Sequence, residues 1–175
     1  MLSWGSSIIT KNLLLVLVLI LIPATGRIIQ AHGFGPVART TYWLLEIPVE
    51  TSRVLFFLLL AGDGKISGGI HALGALLRLP EEDWKIIPNT IINSFKPHSV
   101  ELIATTTVFI VCILVFNYLI KYGAENPQLL SGLRQVSFLK LMNPQSLTLF
   151  FKNLTVIPLT IIFEVWLALR LLDKL

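Results

Sequence analysis

The stretch that decides the fold is LIATTTVFIVCILVFNYL, residues 102–119, eighteen residues without a single Asp, Glu, Lys or Arg. Its polar members are three threonines and one asparagine, and a threonine hydroxyl can return its hydrogen bond to the preceding helical turn. The hydrocarbon core of a bilayer is about 30 Å thick and needs about 20 residues of helix. Because Glu101 and Lys121 bracket the stretch, it predicts a membrane-spanning helix over residues 100–120.

The composition of the whole chain is that of a membrane protein. Of its 175 residues, 54% are hydrophobic and 14% are charged, whereas an ordinary soluble domain is about 25% charged. This balance excludes a disordered chain, which needs low hydrophobicity and high net charge. The net charge of +4 comes from basic residues that are scattered singly, so no basic patch for nucleic acid is expected. Cys112 is the one cysteine of the sequence, which excludes an internal disulfide.

Two further segments are predicted to span the membrane. Residues 154–172 carry Glu164 near the middle and Arg170 near the end, where a long arginine side chain can reach the interface. Residues 8–29 have a purely apolar centre of ten residues, Leu13–Ile22, which a lysine precedes and small residues follow. That order is also typical of a cleaved signal peptide, but we favour a retained span.

A fourth candidate span, residues 40–61, ends in eight apolar residues and carries charges in its first half. At about 100° per residue, Glu46, Glu50 and Arg53 fall within one stripe about 60° wide. Glu50 and Arg53 have the spacing of an ion pair, which leaves one carboxylate either protonated or matched by another cation. We predict that these three residues form an intramembrane polar network with Glu164, which pairs with Arg53 if their helices pack together.

Three interpretations of this charged stripe stay open. A charge in the middle of a membrane costs about 2.5–3.5 kcal/mol on insertion scales, so unpaired charges would cancel much of the gain from the span. In the first interpretation the stripe lines a polar path inside the bundle. In the second the stripe is exposed to water, because the first half of the segment lies flat on the membrane surface. In the third it docks on a partner subunit.

The connections between the spans predict short amphipathic helices at the membrane surface. Residues 65–96 contain apolar residues at helical spacing, followed by a proline and three acidic residues that favour a helix start. Residues 128–152 contain a mixed segment and a turn before the last span. Trp84, His98 and Glu101 are predicted to lie at the level of the lipid headgroups.

The six residues 97–102, PHSVEL, resemble the His-Gly-x-x-Glu-Leu signature of the stage II sporulation M family of bacterial membrane proteins. Ser99 stands where that family has glycine, and the resemblance covers these six residues alone. It therefore implies no site residue, activity or partner for this chain.

Catalytic and metal-binding motifs are missing from the sequence. It contains no nucleophile elbow, phosphate loop, zinc-spaced His–Glu pair or dinucleotide fingerprint. His98 and Glu101 are three residues apart, but bundle di-iron sites use paired Glu-x-x-His motifs, and here the order is reversed and occurs once. We therefore expect no enzyme, no catalytic residue, no metal and no cofactor.

Together these features predict an all-α integral membrane protein with one membrane domain over residues 1–175. Three to four transmembrane helices would form a bundle with short interfacial amphipathic helices. We expect a multi-pass accessory, scaffold or assembly subunit of a larger membrane protein complex, because the loops are short and the helices have apolar faces all round. Its partners would be the lipid bilayer and other membrane subunits or further copies of itself. The alternative is an oligomeric channel or transporter with a Glu/Arg polar path.

Overall fold

The computed structural model describes residues 1–136 and 139–172 as a helical chain. These residues form eight α-helices and no strand, which confirms the predicted all-α class. The helices are α1 (Leu2–Lys11), α2 (Leu13–Gln30), α3 (Arg39–Ala61), α4 (Ile66–Leu77), α5 (Glu81–Ala124), α6 (Pro127–Arg134), α7 (Pro144–Leu154) and α8 (Val156–Leu171). The predicted interfacial segment 128–152 includes residues 137 and 138, and the predicted domain 1–175 includes residues 173–175; these positions lie outside the described residues.

Three helical stretches of the described chain have the length and apolar composition needed to cross a membrane. They are Leu13–Gln30, Glu81–Ala124 and Pro144–Leu171. Thus α2, α5 and the α7–α8 pair are the counterparts of the predicted spans 8–29, 100–120 and 154–172. This finding confirms the presence of transmembrane-type helices and indicates a membrane location.

The fourth predicted span, residues 40–61, is a helix but is not one of these three stretches. α3 is 23 residues long, with Pro48 inside it. Glu46, Glu50 and Arg53 lie around its middle, so its uncharged length is much shorter than the helix. α3 is thus long enough to cross a bilayer but carries charges where the hydrocarbon would lie.

The first apolar stretch begins at Leu13 because the helix breaks at Asn12. The Asn12 Nδ2 donates a hydrogen bond to the Ile8 carbonyl at 3.2 Å, and its backbone N–H donates to the same carbonyl at 3.1 Å. Asparagine competes in this way with the regular helical ladder. As a result α1 ends at Lys11, α2 begins at Leu13, and α2 then continues to Gln30.

α5 joins a predicted interfacial segment to a predicted span in one helix of 44 residues. It begins with three acidic residues in its first turn, as the sequence predicted, because acids favour the positive end of a helix. Pro88 and Pro97 lie inside it and do not end it. A helix of this length has a contour of about 66 Å, about twice the hydrocarbon core of a bilayer.

The two predicted interfacial segments contain short helices. α4 and the first part of α5 fall in residues 65–96, and α6 and most of α7 fall in the described part of residues 128–152. Their location at a membrane surface stays a prediction.

The chain divides into two compact units. The first consists of Met1–Leu13, Leu55–Val111 and the described residues from Thr160 onward, and the second consists of Leu14–Val54 and Cys112–Leu159. α3, α5 and α8 contribute residues to both units, and α2 contributes its first residue, Leu13, to the first unit and the rest to the second.

Each unit has its own apolar core. In the first unit Leu102, Phe163 and Trp166 are buried together, and Phe109 stacks on Phe163 with ring centroids 4.0 Å apart. In the second unit the buried residues are Ile28, Ala124, Leu130, Met142 and Leu147. The candidate site described below belongs to this second unit.

In the first unit, a glycine-rich turn brings α4 back against the end of α3. Asp63 and Gly64 have φ angles of 50° and 89°, in the left-handed region that glycine adopts without strain. A Cβ on Gly69 of α4 would lie 2.0 Å from the Leu58 carbonyl oxygen of α3. The two helices therefore meet backbone to backbone, which requires glycine at residue 69.

Candidate functional site

Polar side chains of α2 and α3 meet in the second unit because the two helices pack closely. A Cβ on Gly26 of α2 would lie 2.5 Å from Cγ2 of Val49 on α3, and Val49 is fully buried. A valine in a helix is held in one strongly preferred rotamer, so it cannot turn away. The short distance between the helices places Arg27, the next residue, beside Glu46 and Glu50.

Arg27 binds both carboxylates of the α3 stripe. Its Nη1 and Nη2 donate hydrogen bonds to Glu46 Oε2 and Oε1, each at 2.8 Å, and Nη2 also donates to Glu50 Oε1 at 2.8 Å. The two parallel bonds to Glu46 are the bidentate pairing in which a guanidinium fits a carboxylate. The pairing of Glu50 with Arg53 leaves the Glu46 carboxylate without a cation on α3. Arg27 of α2 supplies that cation.

Gln30, one turn after Arg27, fixes the same side chains. Its Oε1 accepts a hydrogen bond from Arg27 Nη1 at 2.8 Å. Its Nε2 donates to Glu46 Oε2 at 2.7 Å and to the Tyr42 carbonyl at 3.0 Å. Gln30 is only 6% exposed, so its amide depends on these protein partners.

Arg53 extends the network from α3 to α7. Its Nη1 donates to Glu50 Oε1 at 2.6 Å and its Nη2 donates to Asn153 Oδ1 at 2.7 Å. Asn153 is 2% exposed, and its Nδ2 donates to the Leu149 carbonyl at 2.7 Å. The Nε of Arg53 is buried, and none of the described residues accepts a hydrogen bond from it.

A capping box fixes the start of α7, the helix that carries Asn153. The Ser146 N–H donates to Asn143 Oδ1 at 2.8 Å, and the Asn143 N–H donates to Ser146 Oγ at 3.2 Å. Asn143 Nδ2 also donates to the Ala31 carbonyl at 3.1 Å, just after the end of α2. α7 is therefore tied to α2 at its first turn and to α3 near its last.

Two guanidinium groups and two carboxylates make this network electrically neutral. The side chains of Arg27, Glu46, Glu50 and Arg53 are 17%, 30%, 47% and 22% exposed. Ion pairs at such partly buried positions are screened less than pairs on an open surface. We call the six side chains of this group the α2–α3–α7 network; they are Arg27, Gln30, Glu46, Glu50, Arg53 and Asn153.

Sequence reasoning identified the three α3 members of the network and missed the others. The helical spacing of Glu46, Glu50 and Arg53 was a local signal, and the surplus carboxylate indicated a missing cation without naming Arg27. Asn153 lies 100 residues from Arg53, and no local pattern points to it. The location of the network inside a membrane stays a prediction.

Glu164, the fourth residue predicted for the polar network, lies in the first unit. Its side chain is exposed on α8, next to the buried side chains of Phe163 and Val165. Arg53 has the two partners described above, and its predicted pairing with Glu164 stays a prediction.

The three residues predicted at headgroup level all lie on α5. Trp84 is exposed near the start of the helix. In the first unit, Glu101 Oε2 accepts a 2.8 Å hydrogen bond from Arg170 Nη2 of α8, and His98 Nδ1 lies 3.2 Å from the same nitrogen. Arg170 thereby links α8 to α5. The depth of these residues relative to a membrane stays a prediction.

A cavity of about 510 Å³ opens beside the α2–α3–α7 network in the second unit. Its polar lining residues are Arg27, Gln30, His32, Tyr42 and Gln145. The Val37 N–H donates to His32 Nδ1 at 3.2 Å. The cavity therefore adjoins Arg27 and Gln30 of the network.

Among the described residues, no group of three or more His, Cys, Asp or Glu side chains is arranged to hold a metal ion. No family model, no curated protein and no solved structure matches this chain. The function has therefore to be inferred from the chain's own contacts.

Proposed function

We propose that this chain is a multi-pass integral membrane protein that serves as an accessory, scaffold or assembly subunit of a larger membrane protein complex. The three apolar stretches in α2, α5 and α7–α8 support the membrane part of this proposal. Helices also occupy most of the described residues, which leaves little chain for a separate soluble domain.

One broad side of α5 supports the subunit role. Large apolar side chains along it are exposed, among them Val100 at 81%, Val108 at 63%, Leu114 at 64% and Tyr118 at 69%. A contiguous apolar surface of this kind marks a membrane or protein interaction site. Lipid tails and the helices of neighbouring subunits are the two surroundings that would cover it.

The closed α2–α3–α7 network is the observation that favours a subunit over a transporter. Both carboxylates accept hydrogen bonds from guanidinium groups of the same unit. A transport path needs polar groups that bind a solute and release it, whereas these groups are engaged with one another. The network is therefore suited to clamp α2, α3 and α7 together, so that the helices present a fixed apolar surface to partners.

A second candidate function, an oligomeric channel or transporter, is favoured by the cavity. It reaches Arg27 and Gln30 of the network, and Arg53 Nε has no acceptor among the described residues. An ion or polar solute that entered the cavity would meet the Arg27 guanidinium. Arg27 could then exchange one of its hydrogen bonds within the network for a hydrogen bond to the solute. In this candidate function, Glu46, Glu50 and Arg53 of the second unit line the route.

Extraction of the tagged full chain from its own membrane in a mild detergent tests the subunit role. We expect it to migrate on a native gel as part of a species well above its own 19.5 kDa, with other membrane proteins at fixed stoichiometry. A chain that is monodisperse by itself contradicts the proposal. A chain that is soluble and monodisperse in plain buffer without detergent contradicts the membrane assignment itself.

Reconstitution of the purified chain into liposomes tests the second candidate. Ion or solute flux that disappears in Glu50→Gln would support transport. Glu81→Gln is the matched control, because the side chain of Glu81 is 87% exposed and pairs with Lys85 outside the network. No flux, together with a stable complex from native membrane, supports the subunit role.

A further inference from the structure

Glu164 is an exposed carboxylate in the middle of an apolar helix. It lies eight residues after the first residue of α8 and seven before the last, about 10–12 Å from either end of the helix. α8 belongs to one of the three stretches that are long and apolar enough to cross a membrane. Within that stretch Glu164 lies about 10 Å from the nearer end, Leu171, which is farther than a glutamate side chain reaches, so its carboxylate needs a partner within the membrane.

The first unit supplies no ion-pair partner to Glu164 among its described residues. Its neighbours along the chain, Phe163, Val165 and Trp166, are buried, and Phe163 and Trp166 belong to the apolar core of the unit. The carboxylate consequently points away from the core of its unit. By contrast, Glu101 of the same unit is bonded to Arg170.

The α8 surface around Glu164 is shaped for the close approach of another helix. Thr160 and Ala168 lie one turn before and one turn after Glu164 on the same side of the helix. Small residues beside a polar one are the arrangement by which membrane helices pack closely and hydrogen-bond to each other. The same unit contains an apolar groove of about 350 Å³ that is lined from α8 by Leu167 and Leu171, three and seven residues after Glu164 and so on the same side of the helix.

We infer that the Glu164 face of α8 docks a transmembrane helix of another protein, one that presents a lysine or arginine side chain to the Glu164 carboxylate. The inference rests on the proposed subunit function and names the surface and the chemistry of the partner. The basic side chain neutralises the carboxylate within the membrane, the small residues Thr160 and Ala168 admit the partner's backbone, and the groove accepts an apolar side chain.

Charge complementarity favours another protein over a second copy of this chain. Arg27, Arg53 and Arg170 are bonded to carboxylates of their own units, so a second copy would have to break an internal ion pair to supply any of them. Lys152 lies in the last turn of α7, and the lysines of α5 lie outside its apolar run 102–119. Lys152 belongs to the same apolar stretch as Glu164, Pro144–Leu171, but in a second copy with the same membrane orientation it would lie about 18 Å along the helix axis from Glu164.

Native gels of the full chain, extracted from its own membrane, test the contribution of the carboxylate. We expect Glu164→Ala to lower the fraction of chain in the complex several-fold. Glu164→Gln should retain part of it, because an amide still accepts a hydrogen bond. Glu82→Ala, which removes an exposed acid from the first turn of α5, should match the unchanged chain.

Photo-cross-linking keeps the inference testable even if Glu164→Ala fails to fold. A photoreactive amino acid replaces Ala168 in a chain that is otherwise unchanged, and the cross-linked peptide is sequenced by mass spectrometry. We expect a peptide from the apolar segment of another membrane protein with Lys or Arg inside it. Replacement of that basic residue by Glu should restore the complex of Glu164→Lys.

Several outcomes would overturn the inference. They are a complex that survives Glu164→Ala in full, a cross-link from residue 168 to a second copy or to lipid alone, a partner segment without a basic residue, and an energetic coupling of Glu164 to Arg53 within the purified chain. In each case the complex itself can persist, and the proposed subunit function then stands. If the unchanged chain enters no complex, the proposed function fails first and the inference fails with it.

Discussion

Gly26 and Val49 hold α2 and α3 so close that a methyl group on residue 26 would lie 2.5 Å from Cγ2 of Val49. This contact sits directly beside the ion pairs of Arg27 with Glu46 and Glu50. A guanidinium reaches two carboxylates on successive turns of a neighbouring helix only when the helix axes are close. The apolar contact and the charged network thus depend on each other.

We expect Gly26→Ala to destabilise the protein by about 1–3 kcal/mol, because an overpacked core forces side chains off their rotamers or the helices apart. Thermal unfolding in detergent, followed by circular dichroism, measures the change. The second variant, Gly26→Ala with Val49→Ala, removes the clashing methyl and should recover part of the loss. Equal melting temperatures for Gly26→Ala and the unchanged protein would contradict the close contact.

Arg27→Met should cost about 2–3 kcal/mol, because it leaves Glu46 and Glu50 partly buried with one cation fewer. Glu46→Gln in the same chain should relieve part of that cost, and the double-mutant cycle measures the coupling. The control is Lys85→Gln, whose ion pair with Glu81 is exposed on both sides and should contribute at most about 0.5 kcal/mol. A cycle without coupling would mean that the bidentate pair contributes nothing to stability.

The bond between Arg53 and Asn153 should contribute to holding α7 against α3. Asn153→Leu removes the acceptor of Arg53 Nη2, and a charged donor left without its partner costs about 1–3 kcal/mol. Denaturant unfolding of Asn153→Leu, Arg53→Met and the double variant gives the coupling. Additive effects of the two substitutions would show that the bond is not formed in the folded protein.

Gly69→Ala should weaken the packing of α4 against α3 by about 3 kcal/mol or more, because the added methyl meets a backbone carbonyl that cannot rotate away. That methyl carbon would lie 2.0 Å from the Leu58 carbonyl oxygen. Gly74 of the same helix has nothing within 4 Å of its would-be Cβ. Gly74→Ala is therefore the matched control and should stabilise α4 by about 1 kcal/mol through helix propensity alone. Melting temperatures of the two variants should move in opposite directions.

The sequence by itself determined the helical class, the three apolar stretches and the charged stripe of α3. Each of these depends on local spacing: a run of uncharged residues long enough for a bilayer, or polar residues that recur every three or four positions along a helix. Helix ends followed the sequence where the capping chemistry was local, as at the acidic first turn of α5. The break at Asn12 is also local, because the Asn12 side chain donates to the Ile8 carbonyl of the preceding turn, but it was not predicted from the sequence.

Only the tertiary structure decided which distant residues complete the network and which charge is left exposed. Arg27 is 19 residues from Glu46, and Asn153 is 100 residues from Arg53, so both pairings depend on how helices pack and not on any period along one helix. Glu164 is exposed while its chain neighbours are buried, because the contacts of its own unit face the other side of α8. Local interactions determine where helices form and which residues share a face of each helix. Packing against distant helices determines which of those faces is buried, at contacts such as that of Gly26 with Val49.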